Sequence, residues 1–215
     1  MDKSRIGIII PALNESATIA GIVEEAEKYG RTIVVDDGSS DNTAEVASKS
    51  GALIVLHKKN RGYDAALNSG FKKAVELNVK IIITLDADGQ HNPHLILKYI
   101  HAIDSGADIV VGIRNHKQRF AEYLFAWYTR FRYGVQDPLC GMKAYRTELY
   151  KALGHFDSYG SVGTELTIFA AKNGYQFQQI TFDVRNRKDD SRFGKILSAN
   201  FRILRAIILS FLQVK

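Results

Sequence analysis

The sequence contains one cysteine and no long apolar run, and each shortage excludes a class of protein. Cys140 cannot form an intramolecular disulfide or, alone, a cysteine-based zinc site. No uncharged apolar stretch approaches the roughly 18 residues that a membrane-spanning helix needs. The apolar run at residues 6–10 is too short for the core of a signal peptide. We therefore expect a cytoplasmic chain without a transmembrane segment.

Several nucleotide-binding and nucleic-acid-binding motifs are also missing. The chain has neither the G-x-G-x-x-G of dinucleotide-binding folds nor the G-x-x-x-x-G-K-[ST] of P-loop proteins. It shows no nucleic-acid-binding motif, internal repeat or low-complexity tract. The apolar content of 46% and charged content of 24% are those of a globular protein, and 215 residues suit one α/β domain. The expectation is a single packed domain that does not bind nucleic acid.

Charge is divided unevenly along the chain. Residues 1–113 carry 12 Lys and Arg against 15 Asp and Glu, a net charge of −3, whereas residues 114–215 carry 17 against 8, a net charge of +9. A basic half of this kind suits anionic lipid headgroups or phosphorylated substrates. We therefore expect the second half to meet an anionic partner.

The first half alternates short apolar runs with segments of helical periodicity. Such alternation predicts a mainly parallel sheet flanked by helices, in which ligands bind beyond the carboxyl ends of the strands. The predicted strands cover residues 5–10, 32–35, 52–56, 80–85 and 108–112. Each is followed by polar residues, in order Asn14 and Glu15, Asp36 and Asp37, Asn60 and Arg61, Asp86 and Asp88, and Arg114. These five loops are expected to converge on one rim of the sheet.

Two acidic pairs on that rim suggest chemistry, and each has a simpler alternative. Asp86 and Asp88 end a buried strand, and two adjacent carboxylates suit a Mg²⁺ or Mn²⁺ ion bound together with a diphosphate. A solvated turn explains the same sequence. Asp36 and Asp37 suit hydrogen bonds to a nucleobase or ribose, and capping of the following helix explains them equally well.

Beyond residue 114 the pattern is less regular. Residues 118–133 predict a helix with seven aromatic side chains, which we expect to lie mainly in the core. A short strand to Tyr145, helices near 147–153 and 163–173, and a strand at 175–184 follow. A last helix, at 195–214, carries one apolar stripe that suits the core and a membrane surface equally, formed by Phe201, Leu204, Ile207, Ile208 and Phe211.

Taken together, the motifs at residues 11–15, 34–41, 60–62 and 85–93 resemble those of family 2 glycosyltransferases with the GT-A fold. Within that family, Gly141-x-Lys143-x-Tyr145 and residues 191–194 are most similar to the polyprenyl-phosphate sugar synthases, typified by dolichyl-phosphate mannose synthase, of the short type without a transmembrane domain. The resemblance implies one Rossmann-like GT-A catalytic domain at residues 1–194. Its nucleotide-sugar-binding half would be 1–113 and its acceptor half 114–194, with a C-terminal amphipathic helix at 195–215.

The resemblance also implies a role for individual residues. The implied donor-binding residues are Pro11, Leu13, Asn14, Glu15, Asp36, Asp37, Arg61, Asp86, Ala87, Asp88 and Arg114. A Mg²⁺ or Mn²⁺ ion would be held by Asp86, Asp88 and Gln90, and the implied catalytic residues are Asp86, Asp88, Arg114 and Glu165. The implied acceptor-binding residues are Lys143, Arg187, Ser191 and Arg192. A helix-start glutamate that only favours the helix dipole is the simpler explanation of Glu165.

The chain departs from the family pattern in three places. Met142 stands where a phenylalanine is usual, and Asp64 stands where a small residue is frequent. The loop at 187–192 is one residue shorter than usual and lacks a glycine.

The implied activity is inverting, metal-dependent transfer of a sugar from a nucleoside-diphosphate sugar to a polyprenyl phosphate. A lipid phosphate is already ionised near neutral pH, so it needs cations rather than a base, and the basic second half favours it. A saccharide hydroxyl, in cell-surface polysaccharide or glycan synthesis, is the alternative acceptor. We expect peripheral association with an anionic membrane surface at its cytoplasmic face, and a membrane-anchored partner subunit. Two hypotheses from other functional classes are a phospho-acceptor signalling domain and a catalytically silent membrane adaptor. The paired Asp86 and Asp88 argue against the adaptor.

Overall fold

A computed structural model describes residues 2–115, 119–184 and 196–212. For residues 196–199, 211 and 212 it describes the backbone only. The strands are β1 Ile6–Ala12, β2 Arg31–Asp36, β3 Leu53–Leu56, β4 Ile81–Thr84, β5 Ile109–Arg114, β6 Lys143–Arg146 and β7 Phe177–Phe182. The α-helices are α1 Ile19–Ala26, α2 Thr43–Lys49, α3 Tyr63–Glu76, α4 Ile96–Asp104, α5 Phe120–Tyr133, α6 Thr147–Leu153, α7 Glu165–Lys172 and α8 Ile196–Leu212. Short 3₁₀ turns cover Lys3–Arg5 and Pro93–Leu95.

All seven strands belong to one sheet, in the order β3-β2-β1-β4-β6-β5-β7. The pairs β1–β2, β2–β3, β1–β4 and β5–β7 are parallel, and β6 runs antiparallel to both β4 and β5. The predicted fold class is therefore confirmed as one mostly parallel sheet with flanking helices. The insertion of β6 between the fourth and fifth strands was not predicted.

Helices cover both faces of the sheet, because successive strand side chains point to opposite sides. Ile8 and Ile10 of β1 belong to a core formed with α1, α2 and α4, whereas Ile9 belongs to a core formed with α3, α6 and α7. Both faces of the central strands are therefore buried away from solvent. This burial explains why the first strands read as continuous apolar runs in the sequence.

A third, smaller core joins α5, α7 and α8. It contains Phe125 and Tyr128 of α5, Ile168 of α7, and Ile203 and Ile207 of α8. The expectation that the aromatic helix lies mainly in the core is wrong for four of its seven rings. Four aromatic side chains of α5 are exposed, namely Phe120, Tyr123, Trp127 and Phe131. They lie on the helix face opposite the packed one.

The apolar stripe expected on the last helix also differs from the packed one. The buried positions of α8 are Ile203, Ala206, Ile207 and Ser210, whereas Phe201, Leu204 and Ile208 are exposed. With 3.6 residues per turn, 203, 207 and 210 share one face, and 201, 204 and 208 share another. No helix within the described ranges is long and apolar enough to span a membrane.

Candidate active site

A cavity of about 660 Å³ opens at the carboxyl ends of the parallel strands. Every predicted loop contributes to its wall, as does α8. The lining residues at the carboxyl ends of β1 to β4, or in the segments that follow them, are Pro11, Ala12, Leu13, Glu15, Asp37, Asn60, Arg61, Gly62, Tyr63, Ala66, Asp86, Ala87, Asp88 and Gln90. The rest of the wall is Arg114, Arg119, Glu122, Leu139, Gly141, Val162, Arg202 and Ile203. The structure thus brings the five polar clusters together on one rim.

Hydrogen bonds join the loop after β1 to the loops after β2 and β4. Asn14 adopts a left-handed backbone conformation, with φ of 55°, and its side-chain oxygen accepts from the backbone N–H of Ser40 at 2.8 Å. The backbone N–H of Asn14 donates to Ser39 Oγ at 2.9 Å, and Thr18 Oγ1 donates to the carbonyl of Ala87 at 2.8 Å. Asn14 therefore shapes the loop rather than the cavity wall.

Asp37 organises the loop after β3. Its carboxylate accepts from the backbone N–H groups of Arg61 at 2.9 Å and Gly62 at 2.7 Å. Nδ1 of His57 lies 2.6 Å from the same carboxylate, and Nε2 of His57 lies 2.8 Å from Ser69 Oγ. Gly62 has φ of 92°, which glycine adopts easily, and α3 begins at the next residue. Sequence reasoning assigned His57 no role, because a contact between residues 20 positions apart has no local signature.

Asp36 faces away from this arrangement. It is buried, it accepts from the backbone N–H of Ser39 at 2.7 Å, and it does not line the cavity. Of the two predicted nucleoside-binding aspartates, the structure therefore places only Asp37 at the cavity.

Asp86, Asp88 and Gln90 line the cavity together. Oδ1 of Asp86 accepts from the hydroxyl of Tyr63 at 3.2 Å, and Oδ1 of Asp88 accepts from the backbone N–H of Gln90 at 3.0 Å. Nδ1 of the buried His91 has no hydrogen-bond partner among the described residues and lies 3.6 Å from Oδ2 of Asp86. The polar environment of Asp86 is therefore incomplete.

These residues fit a divalent cation that is shared with a phosphate ligand. The described residues contain no group of three His, Cys, Asp or Glu side chains that could hold a metal ion alone. Mg²⁺ and Mn²⁺ favour carboxylate, water and phosphate oxygens, and Mg²⁺ is commonly held by one or two carboxylates plus substrate phosphates. Two aspartates and an amide oxygen at the wall of an open cavity match that requirement.

The backbone of Gly141 packs directly on Asp86. A Cβ atom at Gly141 would overlap the carboxylate of Asp86. Thr84 fixes this approach, because its hydroxyl donates to the carbonyl of Gly141 at 2.6 Å and accepts from the N–H of Lys143 at 3.2 Å. Strand β6 thus supports the aspartate that follows β4.

Arg114 lines the cavity, and two carboxylates hold its guanidinium. Nε and Nη2 donate to the carboxylate of Asp137 at 2.8 and 2.9 Å, and Nη2 also donates to Glu122 at 3.2 Å. Burial disfavours its charge, but the hydrogen bonds to Asp137 outweigh that effect and raise the pKa of Arg114. Arg114 is therefore a fixed cation, and its predicted contact with the donor phosphates stays a prediction.

Two arginines at the cavity were not predicted. Arg119, at the start of α5, donates to Glu122 at 2.9 Å, and Arg202 belongs to α8. Neither lies in a motif, and the position of α8 at the cavity depends on its packing with α5 and α7. They place cationic groups beside α5 and α8, whereas four of the five lining acids follow β1, β2 and β4.

Lys143 and Glu165 have internal partners and do not line the cavity. Nζ of Lys143 donates to the carbonyl of Gly163 at 2.8 Å, and burial lowers the pKa of Lys143 to about 8. The carboxylate of Glu165 accepts from the backbone N–H and the hydroxyl of Ser158, and Nε2 of His155 lies 2.9 Å from it. This geometry explains both residues without an acceptor. Arg187, Ser191 and Arg192 lie outside the described residues.

The loop before α7 is strained where it meets the cavity. Val162 has φ of 56°, which is a rare conformation for a β-branched residue. Beneath it, burial and the nearby Asp157 raise the pKa of Asp64 to about 7, and Oδ1 of Asp64 is buried without a hydrogen-bond partner within the described ranges. Strain of this kind is common at functional sites.

Comparison with known proteins is consistent with this geometry. Residues 7–123 match the family model described as glycosyl transferase family 2. An uncharacterized protein of Methanocaldococcus jannaschii is 31% identical over 227 residues, covering 97% of this chain and 93% of the relative. The polyprenol monophosphomannose synthase of Mycolicibacterium smegmatis is 30% identical over 205 residues, covering 84% of this chain and 77% of the relative.

A solved structure shows the same fold. The glucosyl-3-phosphoglycerate synthase of Mycobacterium tuberculosis, crystallised with Mn²⁺, uridine diphosphate and glucosyl-3-phosphoglycerate, superposes with a TM-score of 0.78. The sequences are 21% identical, and the superposition covers 95% of this chain and 79% of that chain. The likeness supports the GT-A architecture.

Proposed function

The chain belongs to glycosyl transferase family 2 and is a glycosyltransferase, and we propose that it moves a sugar from a nucleoside-diphosphate sugar to a polyprenyl phosphate. The observation that carries the proposal is the division of charge within the cavity. The wall after β1 to β4 holds four carboxylates against Arg61, a net charge of −3, whereas the wall beside β5, α5 and α8 holds Arg114, Arg119 and Arg202 against Glu122, a net charge of +2. A cavity of this kind can hold a cation-bound diphosphate on one side and a second anion on the other.

The donor would lie along the carboxyl ends of β1 to β4. The wall near Pro11 and Asp37 would hold the nucleoside, and Asp86, Asp88 and Gln90 would hold a Mg²⁺ or Mn²⁺ ion beside the diphosphate. When bound, such an ion neutralises negative charge that develops on the diphosphate as the sugar leaves. The synthase of Mycobacterium tuberculosis was crystallised with Mn²⁺ and uridine diphosphate, which supports this part of the proposal.

The acceptor would approach from the side of α5 and α8. A phosphate monoester carries about 1.5 to 2 negative charges at neutral pH, so its oxygen is already a nucleophile and requires no general base. Arg119 and Arg202 would orient it, together with the predicted acceptor residues Arg187, Ser191 and Arg192. Attack opposite the diphosphate inverts the anomeric centre. The relative in Mycolicibacterium smegmatis is named for a polyprenol acceptor, which supports this choice.

An acceptor of this kind places the enzyme at a membrane. We propose peripheral association with the cytoplasmic face of an anionic bilayer, where a membrane-anchored partner subunit would add to the attachment. Because the fold alone does not fix the acceptor, transfer to a saccharide hydroxyl is the competing activity.

A competition assay tests the proposal. Purified chain is incubated with a panel of nucleotide-sugars, a divalent cation, and equal concentrations of polyprenyl phosphate and an oligosaccharide. Mass spectrometry should find a hexose added to the lipid phosphate. A hexose added only to the oligosaccharide would replace the proposal with the competing activity.

A further inference from the structure

A buried histidine joins three elements behind the cavity wall. His57 directly follows β3, its side chain is 5% exposed, and it does not line the cavity. Its Nδ1 lies 2.6 Å from Oδ1 of Asp37, which directly follows β2 and does line the cavity. Its Nε2 lies 2.8 Å from Oγ of Ser69, in the middle of α3. The ring therefore connects a carboxylate of the cavity wall to a helix behind it.

The contacts of Asp37 decide which ring nitrogen of His57 carries the proton. Oδ1 of Asp37 accepts from the backbone N–H of Arg61, and Oδ2 accepts from the backbone N–H of Gly62. An ionised carboxylate has no proton to donate, so the proton of the ring is assigned to Nδ1, which donates to Asp37. Ser69 suits the other nitrogen in either state, because a hydroxyl can donate or accept. Three N–H groups thus hold one buried carboxylate in a single orientation.

The groups that support the ring are themselves fixed. The backbone N–H of His57 donates to the carbonyl of Asp36 at 2.9 Å, which extends the pairing of β3 with β2. Gly70, next to Ser69, lets α3 approach β1 closely, since a Cβ at this position would overlap the side chain of Ile9. The backbones of His57 and Ser69 are therefore both held against the sheet.

The same order of groups, carboxylate, imidazole and hydroxyl, activates the serine nucleophile of many hydrolases. Ser69 does not line the cavity, so a substrate bound there does not reach its hydroxyl. The hydroxyl of Ser69 is therefore a support for the ring rather than a nucleophile.

We propose that His57 is a positioning residue for the sugar donor. It acts through Asp37, which in turn fixes the backbone of Arg61 and Gly62 in the cavity wall. The inference rests on the donor site of the proposed function, in which this part of the wall holds the nucleoside. Loss of His57 should therefore weaken binding of the nucleoside and leave binding of the diphosphate with its cation unchanged.

Calorimetric titration separates these two parts of the donor site. The full chain is titrated, with Mn²⁺ present, with the diphosphates of uridine, guanosine, adenosine and cytidine and with inorganic pyrophosphate. His57→Leu, which removes both ring nitrogens, should weaken binding of the nucleoside diphosphate that the wild type prefers by about tenfold, or about 1.4 kcal/mol. A hydrogen bond to a charged group contributes at least that much. The affinity for pyrophosphate should stay at the wild-type value.

Further variants distinguish positioning from folding. In His57→Asn the side-chain amide takes the place of Nδ1–H, so donation to Asp37 is retained and the affinity for the nucleoside diphosphate should return close to the wild-type value. In His57→Gln the amide reaches Ser69 rather than Asp37, and the loss should match that of His57→Leu. His94→Leu is the control, because His94 contacts Tyr29 and Glu25 at the surface, and it should bind like the wild type.

Nitrogen-15 NMR of the imidazole rings tests the hydrogen bond itself. The chain has six histidines, and the ring signals that disappear in His57→Asn are those of His57. They should show a protonated Nδ1 whose proton resonates far downfield, as a short hydrogen bond to a buried carboxylate requires. Ser69→Ala should shift the Nε2 signal and leave Nδ1 protonated.

Three results would overturn the inference. They are a His57 ring that carries its proton on Nε2 alone, wild-type affinity for the nucleoside diphosphate in both His57→Leu and His57→Gln, or an equal loss of pyrophosphate affinity in these variants. If His57→Leu does not fold, His57→Gln decides the outcome. A wild-type chain that binds pyrophosphate but none of the four nucleoside diphosphates would instead contradict the donor site of the proposed function, and the role of His57 with it.

Discussion

At the scale of single residues, the carboxylates that line the cavity have two different roles. Asp37 is surrounded by internal donors and fixes the backbone of Arg61 and Gly62. Asp86 and Asp88 lie next to each other in the cavity wall, where Asp86 accepts from Tyr63 and Asp88 accepts from the backbone of Gln90. A carboxylate whose oxygens are already satisfied shapes a loop. Two neighbouring carboxylates in a cavity wall favour a bound cation, because each raises the negative potential at the other.

Asp88→Asn should abolish transfer while the fold remains intact. The substitution removes one charge at the cavity wall and no core contact, and loss of a group that stabilises developing charge lowers turnover on the order of a hundredfold or more. Calorimetric titration of uridine diphosphate with Mn²⁺ should show that metal-dependent binding is lost. Asp104→Asn, on α4, removes only a surface ion pair with Arg5 and should behave like the wild type. Unchanged affinity and turnover in Asp88→Asn would remove the metal assignment.

Gly141→Ala should disable the site as well, although it removes no functional group. The added Cβ overlaps the carboxylate of Asp86, so this side chain must leave its position. The turnover rate should fall strongly, whereas the melting temperature should fall only a little. Gly21→Ala is the control, because a Cβ on that α1 residue meets nothing within 4 Å. If Gly141→Ala retains full turnover, the position of Asp86 does not matter for catalysis.

Asp64 should make stability depend on pH. Its pKa is about 7 in the folded chain against an ordinary value of 3.8, so ionisation opposes folding. The folded state binds the proton more tightly, and stability is therefore lost as pH rises from about 4 to about 7. Relative to Asp64→Asn, the wild type should lose up to about 2.5 kcal/mol of unfolding free energy between pH 5 and 8, at about 1.4 kcal/mol per pKa unit. Denaturant titrations at both pH values measure this difference, and parallel pH profiles for the two proteins would show that Asp64 titrates normally.

The sequence predicted the acidic residues of the cavity and two of its lining arginines, Arg61 and Arg114, but it missed Arg119 and Arg202. Asp37, Asp86 and Asp88 directly follow buried strands, where the sheet architecture fixes their place. Arg119 and Arg202 depend on how α5 and α8 pack, and that packing has no local signature in the sequence. For the same reason, the motifs that predicted roles for Glu165 and Lys143 gave no sign of their internal hydrogen bonds. Ser158 donates to Glu165, and Lys143 donates to the carbonyl of Gly163.

At the scale of elements, the helices and strands of both halves were predictable from the sequence, but the strand order in the second half was not. Strands β1 to β5 lie within two residues of their predicted bounds, because buried parallel strands leave continuous apolar runs. The position of β6 between β4 and β5 depends on antiparallel pairing between distant segments, and apolar periodicity carries no information on strand order. The two helices with a second apolar face, α5 and α8, were ambiguous because core and contact surface use the same residue types.

Adjacent isoleucines on α8 test its packing. Ile207 is buried against α5, whereas Ile208 is 58% exposed. Ile207→Ala should therefore lower the free energy of unfolding by about 2 to 3 kcal/mol, through lost burial and the cavity that remains. Ile208→Ala should change it by less than about 0.5 kcal/mol, because this side chain is already largely in solvent. Chemical denaturation of the two variants makes the comparison, and equal losses would show that α8 is packed differently.

The whole molecule divides its charge around one cavity. The acidic first half supplies the rim of strand ends, and the basic second half supplies α5, α8 and their arginines. This division explains why a net charge of +6 coexists with an acidic cavity rim. Exposed apolar side chains and cavity-lining residues also occur together on α5 and α8.

Phosphorus NMR of the complete reaction tests this account most directly. A phosphate monoester titrates near pH 6, whereas a sugar phosphodiester has no ionisation in that range. With nucleotide-sugar, a divalent cation and polyprenyl phosphate, the titrating lipid resonance should disappear as a non-titrating lipid resonance and free nucleoside diphosphate appear in equal amounts. A lipid monoester that stays intact while nucleoside diphosphate accumulates would contradict transfer to the lipid phosphate.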